Sequence, residues 1–173
     1  RTFHFSKLIN AILRSFLRKK IKSNLSPIEQ IPSWLSQLWI KYFGKEKTID
    51  IINASLSEPP LDITYKKKLD TIDYPEILPT SFRIFKSGKI SEIAGYAEGK
   101  WWVQDAGATI PAHILGNIKN KKVLDICSAP GGKAMQLCSL GAEVTSVEIS
   151  KKRIRLMQEN FDRTKLNSTI INQ

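Results

Sequence analysis

A short apolar run, Val123-Leu124-Asp125-Ile126-Cys127, passes directly into Ser128-Ala129-Pro130-Gly131-Gly132-Lys133 and then into an apolar stretch around Met135 to Leu140. Two adjacent glycines behind a proline do not extend a strand, and they destabilise a helix interior, so they mark a tight strand-to-helix turn. Gly141 stops the helix, and Glu143-Val144-Thr145-Ser146-Val147-Glu148 reads as a second strand. Helical spacing returns from about Ser150 to Arg163, and Ser168 to Ile171 starts a third strand. This alternation predicts an α/β fold in which parallel strands are joined by right-handed crossovers.

In such a sheet a ligand sits beyond the carboxyl ends of the strands, where the first strand enters its loop. Glycines there let the backbone approach a ligand more closely than a Cβ would permit. Glu148 closes the second strand 23 positions beyond Asp125. That is close to the roughly 20-residue offset at which a carboxylate accepts hydrogen bonds from a ribose diol. An adenosine-like cofactor is therefore expected. The chain has neither the Gly-x-Gly-x-x-Gly fingerprint of dinucleotide binding nor the Gly-x-x-x-x-Gly-Lys-Ser/Thr phosphate loop.

Asp125-Ile126-Cys127-Ser128-Ala129-Pro130-Gly131-Gly132-Lys133 resembles the Asp-x-Cys-Ala-Ala-Pro-Gly-Gly-Lys loop of the ribosomal-RNA small-subunit methyltransferase B (Sun) family, the RNA cytosine-C5 methyltransferases. Val103-Gln104-Asp105-Ala106-Gly107-Ala108 is similar to that family's Val-Gln-Asp-x-(small)-Ala segment, at the usual short distance before the loop. Pro32-Ser33-Trp34-Leu35 and Pro59-Pro60-Leu61 also stand where the family has similar patterns, so the resemblance runs from about Leu8 onward. It implies a class I, Rossmann-like fold and S-adenosyl-L-methionine as cofactor. By motif, Cys127, Ser128, Ala129, Pro130, Gly131, Gly132 and Lys133 would wrap the methionine part, and Glu148 would bind the ribose hydroxyls. Ser128 replaces the usual alanine. Glu148 replaces the usual aspartate, which keeps the carboxylate but adds one methylene of reach. Asp105 is expected to cap the helix that begins near Ala106 rather than to touch the cofactor.

The resemblance also implies a division of the chain: residues 1–24 as the end of a helical RNA-binding domain, 25–103 as a pre-catalytic helical and β-rich RNA-binding module, and 104–173 as the N-terminal half of the cofactor-binding methyltransferase domain. The implied substrate is a cytosine of 16S rRNA; two cysteines cannot build a disulfide framework, so a reducing, cytoplasmic compartment is expected. In the family the reaction uses one cysteine that adds to cytosine C6 and a second that helps release the product. These lie after the fourth and sixth strands, beyond the stretch that ends at Gln173, so no catalytic residue is assigned and the 173 residues are expected to bind cofactor without turnover. The strand at Val123 to Cys127 is further expected to present an unpaired apolar edge and to make the isolated chain marginal or insoluble. Cys127 and Cys138 read as small buried apolar residues, and no Cys/His spacing suggests a metal site.

The upstream residues carry charge. Lys+Arg number 27 against 16 Asp+Glu, a net +11, which points to a polyanionic partner, nucleic acid before membrane. No apolar run approaches the roughly 20 residues of a membrane span. Phe5, Leu8, Ile9, Ile12, Leu13, Phe16 and Leu17 form one stripe of an amphipathic helix whose other face holds Lys7, Arg14, Arg18, Lys19, Lys20 and Lys22. Three readings fit it: a helix docked on a core with a solvated basic face, the last helix of an RNA-binding domain, or a transit or membrane-surface helix. Ser26-Pro27-Ile28-Glu29 is a capping-box pattern, and Pro32 restarts a helix. Trp34, Leu35, Leu38, Trp39, Tyr42 and Phe43 then make an aromatic stripe that reads as core, with base stacking as the alternative. A short helix is expected over Thr48 to Leu56. Ile63-Thr64-Tyr65, Phe82 to Phe85 and Trp101-Trp102-Val103 read as short strands of a basic β-rich module. Basic residues in 1–22 and 66–89 are expected to contact phosphates without reading sequence. A non-catalytic RNA-binding remnant, or a ribose 2′-O-methyltransferase, stays open beside the cytosine-C5 reading, although in the latter class a tryptophan commonly follows the paired glycines where Lys133 stands.

Overall fold

The structure is a computed structural model and describes residues 5–19, 25–67, 74–85 and 88–173. It divides into two compact units, Arg1–Glu58 and Pro59–Gln173.

In the first unit the amphipathic stripe forms helix α1 (Ser6–Arg18), and none of its residues is buried. Lys20 and Lys22 lie outside the described residues. The Ser26 capping box is formed: the Ser26 backbone N–H donates to Glu29 Oε2 at 2.8 Å, heading a short 3-10 turn, Pro27–Gln30. Helix α2 (Ser33–Phe43) and helix α3 (Lys45–Leu56) meet at Gly44 and pack on each other. The aromatic stripe of α2 is not a core. Leu35 and Trp39 are half-buried, but Trp34, Leu38, Tyr42 and Phe43 are exposed, and Lys41 lies 5.7 Å from the Tyr42 ring. The stripe is wider than one helix partner can cover. Among the described residues α3 and the 3-10 turn pack on it most closely, and the two helices bury Ser36, Thr48 and Ile52 instead.

The second unit begins with an antiparallel sheet of β1 (Leu61–Tyr65), β2 (Glu76–Leu78), β3 (Ser81–Ile84) and β4 (Trp101–Val103), in the order β2-β3-β1-β4. The three expected strands are present, and Glu76–Leu78 is an additional one too short to announce itself by alternation. Ile63, Tyr65, Phe82, Ile84 and Trp101 form its apolar cluster. Asp62 is buried in β1 and fully used. Arg83 Nε and Nη2 donate to its two oxygens at 2.8 and 3.0 Å, and the Ala106 N–H donates to Oδ2 at 3.1 Å. These bonds hold Asp62 below the usual carboxylate range and fasten helix α4 (Ala106–Ile114) to the sheet. Asp105 caps α4, accepting from the Ala108 N–H at 3.2 Å, as its position predicts.

The remaining elements alternate as expected: β5 (Lys122–Ile126), α5 (Gly132–Ser139), β6 (Glu143–Val147), α6 (Lys151–Thr164) and β7 (Thr169–Ile171). The three strands are parallel, in the order β5-β6-β7. Ala134, Met135, Leu137, Val144, Met157 and Phe161 build the core on one face. β5 pairs only with β6 among the described residues, and Leu124 and Ile126 are 58% and 66% exposed, so the apolar edge anticipated from the sequence is present. The antiparallel sheet is bound to α6. Arg163 Nη1 donates to Tyr96 O and Trp101 O at 2.8 and 3.0 Å and stacks 4.0 Å from the Tyr96 ring, while Lys66 Nζ donates to Thr164 O.

Candidate cofactor site

The glycine loop turns sharply at the carboxyl end of β5. Cys127 adopts a left-handed φ of 59°, a rare state for a residue with a Cβ. Its neighbours hold it there: the Ser128 N–H donates to Val147 O at 3.0 Å, and Ser128 Oγ donates to Asp125 Oδ2 at 2.7 Å. The serine that departs from the family's alanine thus adds a bond that closes the turn. The Gly131 N–H donates back to Ser128 O at 2.8 Å, and Gly131 itself has φ 99°. A Cβ at Gly131 would stand 3.0 Å from Met157 Cγ, so backbone angle and packing both select glycine. Asn160 Nδ2 donates to Pro130 O at 3.0 Å, anchoring the loop to α6. Gly132 and Lys133 open α5, where the first backbone N–H groups have no partner within the helix and favour negative charge. Lys133 is exposed.

Glu148 follows β6 directly and is 2% exposed. Its Oε1 accepts from the Ser150 N–H at 2.9 Å. Its Oε2 is buried without a hydrogen-bond partner and faces Arg153 Nη1 at 3.4 Å. The same guanidinium donates through Nη2 to Ala129 O. Asn172 Nδ2 donates to both Glu148 O and Ile149 O at 2.9 Å, fixing the backbone beyond the acid. All eight residues marked in the sequence therefore lie at the carboxyl ends of the adjacent parallel strands β5 and β6. Arg153, which bridges the glycine loop and the acid, was not marked. Its only sequence signal is a cation in the first turn of a helix, where basic residues are disfavoured. A concavity lined by Lys122, Glu143, Asn167 and Thr169 sits at the opposite, amino-terminal ends of the strands.

Two cysteine expectations need correcting. Cys127 is exposed, because the left-handed turn lifts it out of the strand. Cys138 is half-buried; its Sγ donates to Asn167 O at 3.0 Å, and burial pushes its thiol up to about 11. The basic segment 66–89 is also partly spent inside the fold. Lys66 caps the end of α6, where burial and then the neighbouring Lys165 and Arg163 lower its pKa, and Arg83 is bound to Asp62. Lys68 lies outside the described residues. Among the described residues no group of three or more His, Cys, Asp or Glu could hold a metal ion, and no helix is long and apolar enough to cross a membrane.

Residues 112–173 match the family model for the 16S rRNA methyltransferase RsmB/F. Over that segment the chain is similar to the RsmB/F methyltransferases. A ribosomal RNA small subunit methyltransferase B from Photorhabdus laumondii is 28% identical, over 94% of this chain and 43% of the relative. A Synechocystis protein named as a probable enzyme of the same kind is 30% identical, over 78% of this chain and 36% of the relative. The chain thus spans less than half the length of these relatives. A methyltransferase homologue from Pyrococcus horikoshii shares the fold at a TM-score of 0.69 and 18% identity, covering 83% of this chain and 53% of the archaeal one. The fold is Rossmann-like, and enzymes of the RsmB/F family use S-adenosylmethionine.

Proposed function

We propose that this chain forms the cofactor-binding part of an S-adenosylmethionine-dependent methyltransferase that modifies C5 of a cytosine in 16S rRNA in the cytoplasm. The observation that carries the reading is the pairing of a glycine turn, entered through left-handed Cys127, with a buried acid at the ends of adjacent parallel strands, within a segment that matches the RsmB/F family. The residues fit the cofactor. Glu148 Oε2 is a buried acceptor with unused hydrogen-bonding capacity, and ribose hydroxyls are donors. The first turn of α5 offers amides to a carboxylate.

When bound, the cofactor supplies an electrophilic methyl group. The chain's own residues bind and orient. Cys127 to Lys133 surround the methionine end, and Glu148 takes the ribose diol. Residues 1–24 and 25–103 serve RNA binding, through exposed cations such as Arg14, Arg18 and Lys67 that meet phosphates; residues 104–173 hold the cofactor. Calorimetry of S-adenosylmethionine with the intact protein tests the reading, together with Glu148→Ala. Saturable binding that weakens by about 1–3 kcal/mol in the variant is expected, the cost of one charge-assisted hydrogen-bond acceptor. Equal affinity in both proteins would remove Glu148 from the site.

A further inference from the structure

A buried polar chain crosses the second unit without including any of the proposed cofactor ligands. The Trp102 indole Nε1–H donates to Gln104 Oε1 at 2.8 Å, Gln104 Nε2 donates to Gln136 Oε1 at 3.0 Å, and Gln136 Nε2 donates to Thr109 O at 3.1 Å. Its direction is forced. An indole nitrogen only donates, so Gln104 must turn its carbonyl to Trp102 and its amide to Gln136. Gln136 in turn must present its amide to the Thr109 carbonyl, which only accepts. Gln104 and Gln136 are 6% and 1% exposed, and buried amides are tolerated only when paired in this way.

Gln104 meets α5 through its amide, which grips Gln136 one turn in from Gly132, and its Cγ and Cδ stand where a Cβ added at Gly132 would meet them at 3.7 Å. Gly132 is the first residue of α5 and part of the glycine loop. A directional bond to a buried side chain in the second turn of an eight-residue helix constrains the direction of its axis. We infer that Gln104, through its hydrogen bond to Gln136, is a positioning residue for the cofactor: it sets the axis of α5 and so the direction in which the Gly132 and Lys133 amides point. The inference rests on the cofactor reading above. Misplacing positioned groups by about 1 Å costs up to about 100-fold where geometry is demanding.

The test uses the intact protein, with Gln104→Met and Gln136→Met made singly and together. S-adenosylmethionine affinity and urea unfolding are measured on the same preparations. Each single variant should weaken binding by about tenfold or more, and the double variant should bind no worse than the weaker single, because the pair acts as one unit. Ile63→Val, in the separate apolar cluster of the antiparallel sheet, supplies a stability control and should leave affinity within about twofold. Gln136→Asn, which keeps an amide but shortens its reach, should reproduce the loss and stands in for a methionine variant that does not fold. Wild-type affinity in the single variants, losses that add in the double, or equal losses in the Ile63→Val control would overturn the positioning role. A folded wild-type protein that does not bind S-adenosylmethionine would instead overturn the cofactor reading, and this inference with it.

Discussion

Gly131 and Gly132 are neighbours with opposite constraints, and replacing each by alanine separates folding from binding. At Gly131, φ is 99° and a Cβ would stand 3.0 Å from Met157 Cγ and 3.5 Å from Phe161 Cε2. A left-handed backbone costs a non-glycine residue roughly 1–2 kcal/mol. Crowding a packed core costs about 1–3 kcal/mol, and Met157 is fully buried with little room to yield. The reduced freedom of the unfolded chain offsets about 0.4–1 kcal/mol of this. Gly131→Ala should therefore lower unfolding stability by about 2–3 kcal/mol. At Gly132 a Cβ would meet Gln104 atoms at 3.7 Å or more, an ordinary contact, in a helical residue where alanine is the better former. Gly132→Ala should leave stability unchanged or raise it by up to about 1 kcal/mol. Its effect should appear in S-adenosylmethionine affinity, because the new methyl group faces Gln104, the residue inferred above to place α5. Urea unfolding and calorimetry on both variants decide the matter. If Gly131→Ala unfolds like the wild type, the left-handed turn is not what holds the loop; if Gly132→Ala binds normally, the packing of Gln104 beside that residue does not place the site.

Asp62 gives an acid-dependent stability. Its native pKa is held below the ordinary value of 3.8, first by the Arg83 hydrogen bond. The contribution is therefore present above that value and is lost as pH falls through the lowered native pKa. Asp62→Asn should cost about 2–3 kcal/mol at pH 7, less than a fully buried pair because the Arg83 side chain keeps 35% of its exposure. The difference between variant and wild type should shrink below pH 3.8. A pH-independent difference in urea midpoints would show that the ion pair is not its source. The two thiols should react unequally: iodoacetamide at pH 8 should label exposed Cys127 well before Cys138, whose thiol is pushed up to about 11. Mass spectrometry of the peptides reads the order, and S-adenosylmethionine should slow the first reaction only.

Residues 122–171 were readable in outline from the sequence because their signals are local. A two-residue glycine turn, short apolar strands and an acid one strand later each depend on near neighbours, and the elements they predict are those observed. What the loop residues could not reveal alone is how they are held. Cys127 needs Val147 and Asp125, Gly131 needs Met157, and Glu148 faces an arginine whose second hand rests on Ala129. The same holds for the corrections. An aromatic stripe at helical spacing predicts a helix, but whether Trp34 and Tyr42 are covered depends on how many elements pack against α2. A basic run predicts charge, but Lys66 and Arg83 are consumed by Thr164 O and Asp62, residues 98 and 21 positions away. Periodicity and backbone preference act over a few residues and can be read along the chain. Burial, pairing of charges and the fate of a buried amide depend on what folding brings from far away, and only the tertiary structure decides them.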